Sequence, residues 1–134
     1  MNAHQVLSRI RREIIDSGRD TRYLLGAYGF VLNGLEFYLA KIGDKRHVSG
    51  QELSGGLAQF AAKQFGPLAW DVLAYWGIRA TDDFGNIVYA LIDIGLLSKR
   101  ESDSISDFSS VFDLKAFFES QSLFAIDPKA GLTL

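Results

Sequence analysis

The two histidines carry the most versatile chemistry in this sequence, and they lie far apart. His4 and His47 show no HxxxH or HxxE spacing, so a metal site would require carboxylates that the fold brings to them. We therefore predict neither a metal site nor a cofactor. His47 stands just before a predicted helix start, where its ring could hydrogen-bond the capping region. A general base is its alternative role.

Three carboxylates are the next candidates for acid–base chemistry. Asp82 and Asp83 are neighbours on a predicted helix and point about 100° apart, so they are poorly placed to share a proton. Their position is better explained by the helix dipole, which favours negative charge near the start of a helix. Glu36 lies in a largely apolar helix, where an unpaired charge is costly, so we expect it to face water or to pair with an arginine. The candidate arginines are Arg22, Arg46 and Arg79.

The sequence contains no motif for a nucleophile or a phosphate site. Cysteine is absent, which excludes thiol nucleophiles, disulfides and thiolate zinc sites. No serine has a GxSxG setting, and Gly50, Gly55 and Gly56 lack the pattern of a phosphate-binding loop. We therefore predict no catalytic residue. A small enzyme or ligand-binding protein remains an alternative if a closed pocket gathers Glu36, His47 and a tyrosine.

Length, composition and charge indicate one folded domain over residues 1–134. The chain is 48% hydrophobic and 13% aromatic, which is typical of a protein with a core. A net charge of −2 argues against a general polyanion binder. Arginines occur early in the chain, where a signal peptide would need an apolar core, and the lack of cysteine is compatible with a reducing compartment. We predict a cytoplasmic protein.

Helical periodicity divides the chain into an N-terminal helix over 2–17, a core over 21–118 and a C-terminal tail over 119–134. Residues 21–43 carry a broad apolar arc, which is typical of a central helix or of an oligomer interface. A homodimer through helix 21–43 is therefore possible. Asn33 and Glu36 interrupt the apolar stretch, so we predict no membrane span.

Capping residues and glycines predict the helices that follow. Ser49-Gly-Gln-Glu52 has the form of a capping box, and Gly66 followed by Pro67 predicts a stop and a new start. Thr81 is predicted to cap a helix over 81–94. After it, residues 96–100 and 111–112 look extended and flank a polar loop over 101–110, which predicts a β-hairpin.

This order of elements is that of a winged-helix domain, with residues 81–94 in the recognition-helix position and the 99–110 loop as the wing. We therefore predict a mainly α fold with a small antiparallel β-hairpin. A winged helix that reads DNA would present basic or amide side chains there, whereas these segments present acids that repel phosphate. Our leading interpretation is a non-catalytic protein-interaction module, with no nucleic-acid partner. A DNA-binding transcriptional regulator is the alternative.

The predicted interaction surface lies opposite the apolar seam of helix 81–94 and includes neighbouring aromatic residues. Exposed aromatic rings beside acids favour a protein partner, because a nucleic-acid platform would interleave basic residues. The surface comprises Asp82, Asp83, Asn86, Tyr89, Asp93, Trp70 and Tyr75.

Several short motifs occur together between about residues 22 and 118. They are HVSGQEL from His47, FG from Phe65, WGI from Trp76, TDDFGNIV from Thr81, GLLSK from Gly95 and DF from Asp107. In combination they resemble a family of short, single-domain bacterial proteins of unknown function. The resemblance implies no reaction, cofactor or partner. The shared residues are largely caps, glycines and aromatics, which suit maintenance of a fold.

Overall fold

The computed structural model describes residues 1–43 and 47–120, where all the regular elements are helices. Helix α1 spans Ala3–Ile10 and continues as a π-helical segment over Arg11–Asp16. The others are α2 over Leu25–Ile42, α3 over Gly50–Phe65, α4 over Ala69–Trp76, α5 over Thr81–Asp93 and α6 over Leu114–Ser120. Short 3₁₀ helices occupy Gly66–Leu68 and Ile105–Phe108.

The predicted antiparallel β-hairpin, and with it the winged-helix-like order of elements, is wrong. No strand occurs anywhere in residues 1–43 and 47–120. Between α5 and α6, side chains accept hydrogen bonds from backbone N–H groups. In a hairpin, the partner strand would accept them. Asp103 accepts the N–H of Arg100 at 2.7 Å, and Asp107 accepts the N–H of Ser104 at 3.0 Å. Such local bonds compete with strand pairing, so this segment forms turns and a 3₁₀ helix.

Thr81 fastens the segment between α5 and α6 to the start of α5. It is the first residue of that helix, not its cap, and its side chain is fully buried. Its hydroxyl donates to the carbonyl oxygen of Phe108 at 2.8 Å and accepts from the N–H of Val111 at 3.1 Å. The carboxylate of Asp83 caps the start of α5 instead, because it accepts the N–H of Ala80 at 3.0 Å.

Helix α2 is the central element, with contacts to α1, α3, α4 and α5. Glycines on α2 leave space in which side chains of the neighbouring helices pack against its backbone. A Cβ at Gly34 would lie 2.5 Å from Leu57 Cδ2, and one at Gly26 would lie 2.5 Å from the ring nitrogen of Trp76. Helix α2 therefore gains close contact with α3 and α4 at the cost of its own helix propensity.

Local signals in the sequence correctly located the breaks around α3. Ser49 accepts the N–H of Glu52 at 3.1 Å, which confirms the predicted cap. Helix α3 ends at Phe65, as predicted, but Pro67 lies inside a 3₁₀ turn and the new helix, α4, begins at Ala69. The apolar side chains of α5, namely Phe84, Ile87, Val88 and Leu91, are buried.

Part of the predicted C-terminal tail, 119–134, lies outside the described residues, since only its first two residues are described, at the end of α6. Residues 44–46 also lie outside them, and these include Arg46, a predicted partner of Glu36. Across the part of the chain that is described, no helix combines the length and the apolar character needed to cross a membrane.

Candidate functional site

A cavity of about 420 Å³ lies beside His47, where α2, the start of α3, α5 and the segment after α5 meet. Its volume falls in the range of about 300–1,000 Å³ that is usual for small-molecule sites. Most of its wall is apolar. The apolar side chains are Leu35, Leu39, Val48, Leu53, Val88, Ile92, Leu97 and Phe108.

One end of this cavity is polar. His47 Nε2 lies 2.6 Å from Asp103 Oδ2, so the residue before α3 contacts the loop after α5. The backbone N–H of Arg100, and then the His47 ring, hold the pKa of Asp103 below its ordinary value. Asp103 is therefore ionised at neutral pH, and it orients the His47 ring at the edge of the cavity.

Tyr89 also lines this cavity, while its hydroxyl oxygen is buried out of contact with solvent. This hydroxyl has no hydrogen-bond partner among the residues that the structure describes. Burial, followed by the nearby charges of Asp103 and Asp107, raises the pKa of Tyr89, so the hydroxyl keeps its proton. Buried hydroxyls are nearly always hydrogen-bonded, because leaving one unsatisfied costs about 1–3 kcal/mol. The described residues leave the hydroxyl of Tyr28 without a partner too, but Tyr28 is fully buried in the core and does not line this cavity.

The structure places three of the predicted interaction residues, Asp82, Asp83 and Asn86, in contacts within the chain. Asp83 accepts the hydroxyl of Tyr23 at 2.5 Å, and Asn86 donates to the same hydroxyl oxygen at 2.9 Å. Asp82 accepts the N–H of Ser110 at 3.1 Å. These polar side chains stabilise α5 and its connections, in addition to any role at the surface.

The other four predicted interaction residues lie in different places. Tyr89 lines the cavity, and Asp93 is exposed with an oxygen 3.9 Å from an Arg19 nitrogen. Trp70 is half-buried against the core, whereas Tyr75 is 76% exposed. The structure therefore divides the predicted surface between α4, the outside of α5 and the cavity.

The alternative of a small enzyme or ligand-binding protein requires a closed pocket that gathers Glu36, His47 and a tyrosine. His47 and Tyr89 do line one cavity, but Glu36 is exposed and does not line it. Glu36 therefore takes the water-facing position, one of the two expected. Asp103 was missed because nothing in its local sequence indicates a partner at position 47.

A second groove, of about 530 Å³, lies on another face of α2. Its apolar wall includes Leu25, Phe30, Phe65 and Trp76. The rings of Phe65 and Trp76 meet edge to face with centroids 5.7 Å apart. This groove lacks a charged side chain among its described lining residues, so it has the character of a contact surface.

Neither protein-family models, nor curated proteins, nor solved structures gave a significant match to this chain.

Proposed function

We propose that this protein binds a small, largely apolar molecule in the cavity beside His47. The observation that carries the proposal is the cavity itself, about 420 Å³ in volume, with eight apolar side chains in its wall and the contact between His47 and Asp103 at its edge.

The shape and lining of the cavity support the proposal. Ligand sites are commonly apolar clefts in which a few polar groups fix the orientation of the bound molecule. Here the apolar wall comes from α2, α3, α5 and the segment after α5, while His47 and Asp103 supply the polar end. Since these groups come from separate parts of the chain, the folded protein positions them before any ligand arrives, which lowers the entropic cost of binding.

Filling the cavity tests this proposal. We expect Ile92→Trp to weaken binding of the neutral dye N-phenylnaphthylamine at least about tenfold, because the indole would occupy space that the dye needs. Binding is measured by the saturable rise in dye fluorescence. Ile15→Trp is the matched control, since Ile15 is also half-buried but lines neither the cavity nor the groove.

Both variants should retain the helical circular dichroism of the wild type. Saturable binding that Ile92→Trp weakens and Ile15→Trp leaves unchanged supports the cavity. Equal binding by all three proteins, or no saturable binding by the wild type, contradicts the proposal.

Self-association is the second candidate function, and exposed apolar residues close in sequence to two residues of the groove favour it. Leu68 is 61% exposed and Tyr75 is 76% exposed. They stand close in sequence to Phe65 and Trp76, which line the groove together with Leu25 of α2. We therefore propose a homodimer across this face, which includes the predicted helix 21–43.

Sedimentation equilibrium tests the homodimer. Leu68→Ser is expected to weaken it at least about tenfold, because a large aliphatic side chain leaves the contact. Ile105→Ser is the control, because Ile105 is also exposed, at 46%, but is distant in sequence from every residue that lines the groove. A wild-type monomer at all concentrations, or equal effects of the two changes, would rule out this contact.

A further inference from the structure

Part of the segment between α5 and α6 forms the outer wall of the cavity beside His47. Ser98, Lys99 and Ser104 are exposed to solvent, yet all three line the cavity. These residues therefore separate the cavity from the surrounding water. We call residues 98–106 the lid.

The lid is attached to α5 at both of its ends. Before it, Leu97 packs against the core, and the N–H of Leu96 donates to the carbonyl oxygen of Leu91 at 2.9 Å. After it, Phe108 is buried, and its carbonyl oxygen accepts the hydroxyl of Thr81 at 2.8 Å. The lid therefore spans the cavity between two fixed points.

Between these points, one side chain of the lid turns inward. Asp103 is half-buried, whereas the other eight residues of the lid are exposed. A carboxylate oxygen of Asp103 lies 2.6 Å from Nε2 of His47, which precedes α3. Among the hydrogen bonds and ion pairs that the structure describes for the lid, this contact is the one that reaches a distant part of the chain.

The other polar contacts of the lid join residues that are close in sequence. The N–H of Arg100 donates to Asp103 at 2.7 Å, and the N–H of Ser104 donates to Asp107, the first residue after the lid, at 3.0 Å. Such local bonds keep the lid in one shape while it moves. Opening the lid therefore requires the contact between Asp103 and His47 to break, and leaves the local bonds in place.

We infer that the lid opens to admit and release the ligand, and that the contact between His47 and Asp103 holds the lid closed. This inference rests on the proposed function. The contact lies at the edge of the cavity, so its rupture frees the lid where the ligand would pass. Lids of this kind open on the microsecond-to-millisecond timescale and control how fast a bound molecule exchanges.

Stopped-flow mixing with N-phenylnaphthylamine tests the inference. His47→Phe keeps a flat ring but removes both nitrogens. It should raise the association and dissociation rate constants of the dye together, each about threefold to tenfold, the worth of one polar contact. The dissociation constant should change by less than about twofold, because the closed lid remains the major state.

Asp103→Asn should act in the same direction. The amide oxygen still accepts the N–H of Arg100, but the charge that faces His47 is lost. Glu101→Gln is the matched control, because Glu101 is an exposed acid of the lid that does not line the cavity, and it should change neither rate constant. The effects of His47→Phe and Asp103→Asn should not add in the double variant, since either change alone breaks the contact.

Relaxation-dispersion NMR of the backbone amides measures motion of the lid without the dye. His47→Phe and Asp103→Asn should each increase the exchange contribution at the amides of Arg100 and Ser104, whereas Glu101→Gln should not. All of these variants should retain the helical circular dichroism of the wild type.

The outcomes separate the lid from the cavity. Faster exchange of the dye with non-additive effects, together with increased motion of the lid, supports the inference. Unchanged rate constants, additive effects or a change in the dissociation rate constant alone overturns it, while binding of the dye in the cavity stands. A wild type that binds no dye, or Ile92→Trp that binds it equally well, overturns the proposed function and with it the role of the lid in ligand exchange.

Discussion

Replacing Thr81 with valine is expected to lower the free energy of unfolding by about 2–4 kcal/mol, because one buried and one partly buried backbone group lose their partner. The Thr81 hydroxyl donates to the Phe108 carbonyl oxygen and accepts the Val111 N–H. Valine has nearly the same shape but offers neither bond. Since Thr81 is fully buried, water cannot replace the lost hydroxyl without entering the core.

Urea denaturation of the wild type and of Thr81→Val measures this difference in the free energy of unfolding. Thr21→Val is the matched control, because Thr21 is exposed, and it should change the free energy of unfolding by no more than about 0.5 kcal/mol. A Thr81→Val protein as stable as the control would mean that Thr81 does not hold the segment after α5. Because Phe108 lines the cavity, Thr81→Val is also expected to weaken dye binding.

Replacing Gly85 with alanine is expected to destabilise the protein by about 1–2 kcal/mol, although alanine is the better helix former. A Cβ at Gly85 would lie 2.8 Å from Phe108 Cβ and 2.9 Å from Phe108 Cγ. These atoms are close to the backbone of Phe108, so the ring cannot simply rotate away. The segment after α5 must move outward, which opens the cavity wall.

Gly55→Ala is the control, and we expect it to change the free energy of unfolding in the opposite direction. Gly55 lies inside α3, and a Cβ there would meet no atom within 4 Å. Alanine should therefore raise the free energy of unfolding by about 0.5–1 kcal/mol through helix propensity alone. If thermal or urea denaturation shows Gly85→Ala to be stabilising as well, Phe108 does not pack against α5 as described.

The sequence predicted those elements whose signals are local. The cap at Ser49, the break at Gly66 and Pro67, and the apolar seam of α5 each depend on residues within a few positions of one another. Such signals act through the backbone of their own segment, so they persist whatever the rest of the chain does.

The hairpin was predicted wrongly because its two extended segments are very short and the loop between them is rich in serine and aspartate. Those residues formed the alternative structure, in which Asp103 and Asp107 bind nearby backbone N–H groups. The hydroxyl of Thr81 then provided a tertiary anchor that no local pattern reveals. Short apolar runs favour strands only when a partner strand is available.

The candidate site could be predicted only in part, for a similar reason. His47 was singled out by its residue type, and a tyrosine near it was a condition only for the alternative of a small enzyme or ligand-binding protein. The identity of that tyrosine, the contribution of Asp103 and the exposed position of Glu36 depend on how α2, α5 and the following loop meet in space. The acids of α5 suggested an interaction surface because the sequence does not show that Tyr23 lies against Asp83 and Asn86.

Methyl NMR of the labelled protein during titration with N-phenylnaphthylamine tests the central claim most directly, because it distinguishes the cavity beside His47 from the groove beside Trp76. We expect intermolecular NOEs from the dye to the methyl groups of Val88, Ile92 and Leu53. NOEs confined to Leu7 and Leu25 of the groove, or none at saturating dye, would contradict binding in the cavity.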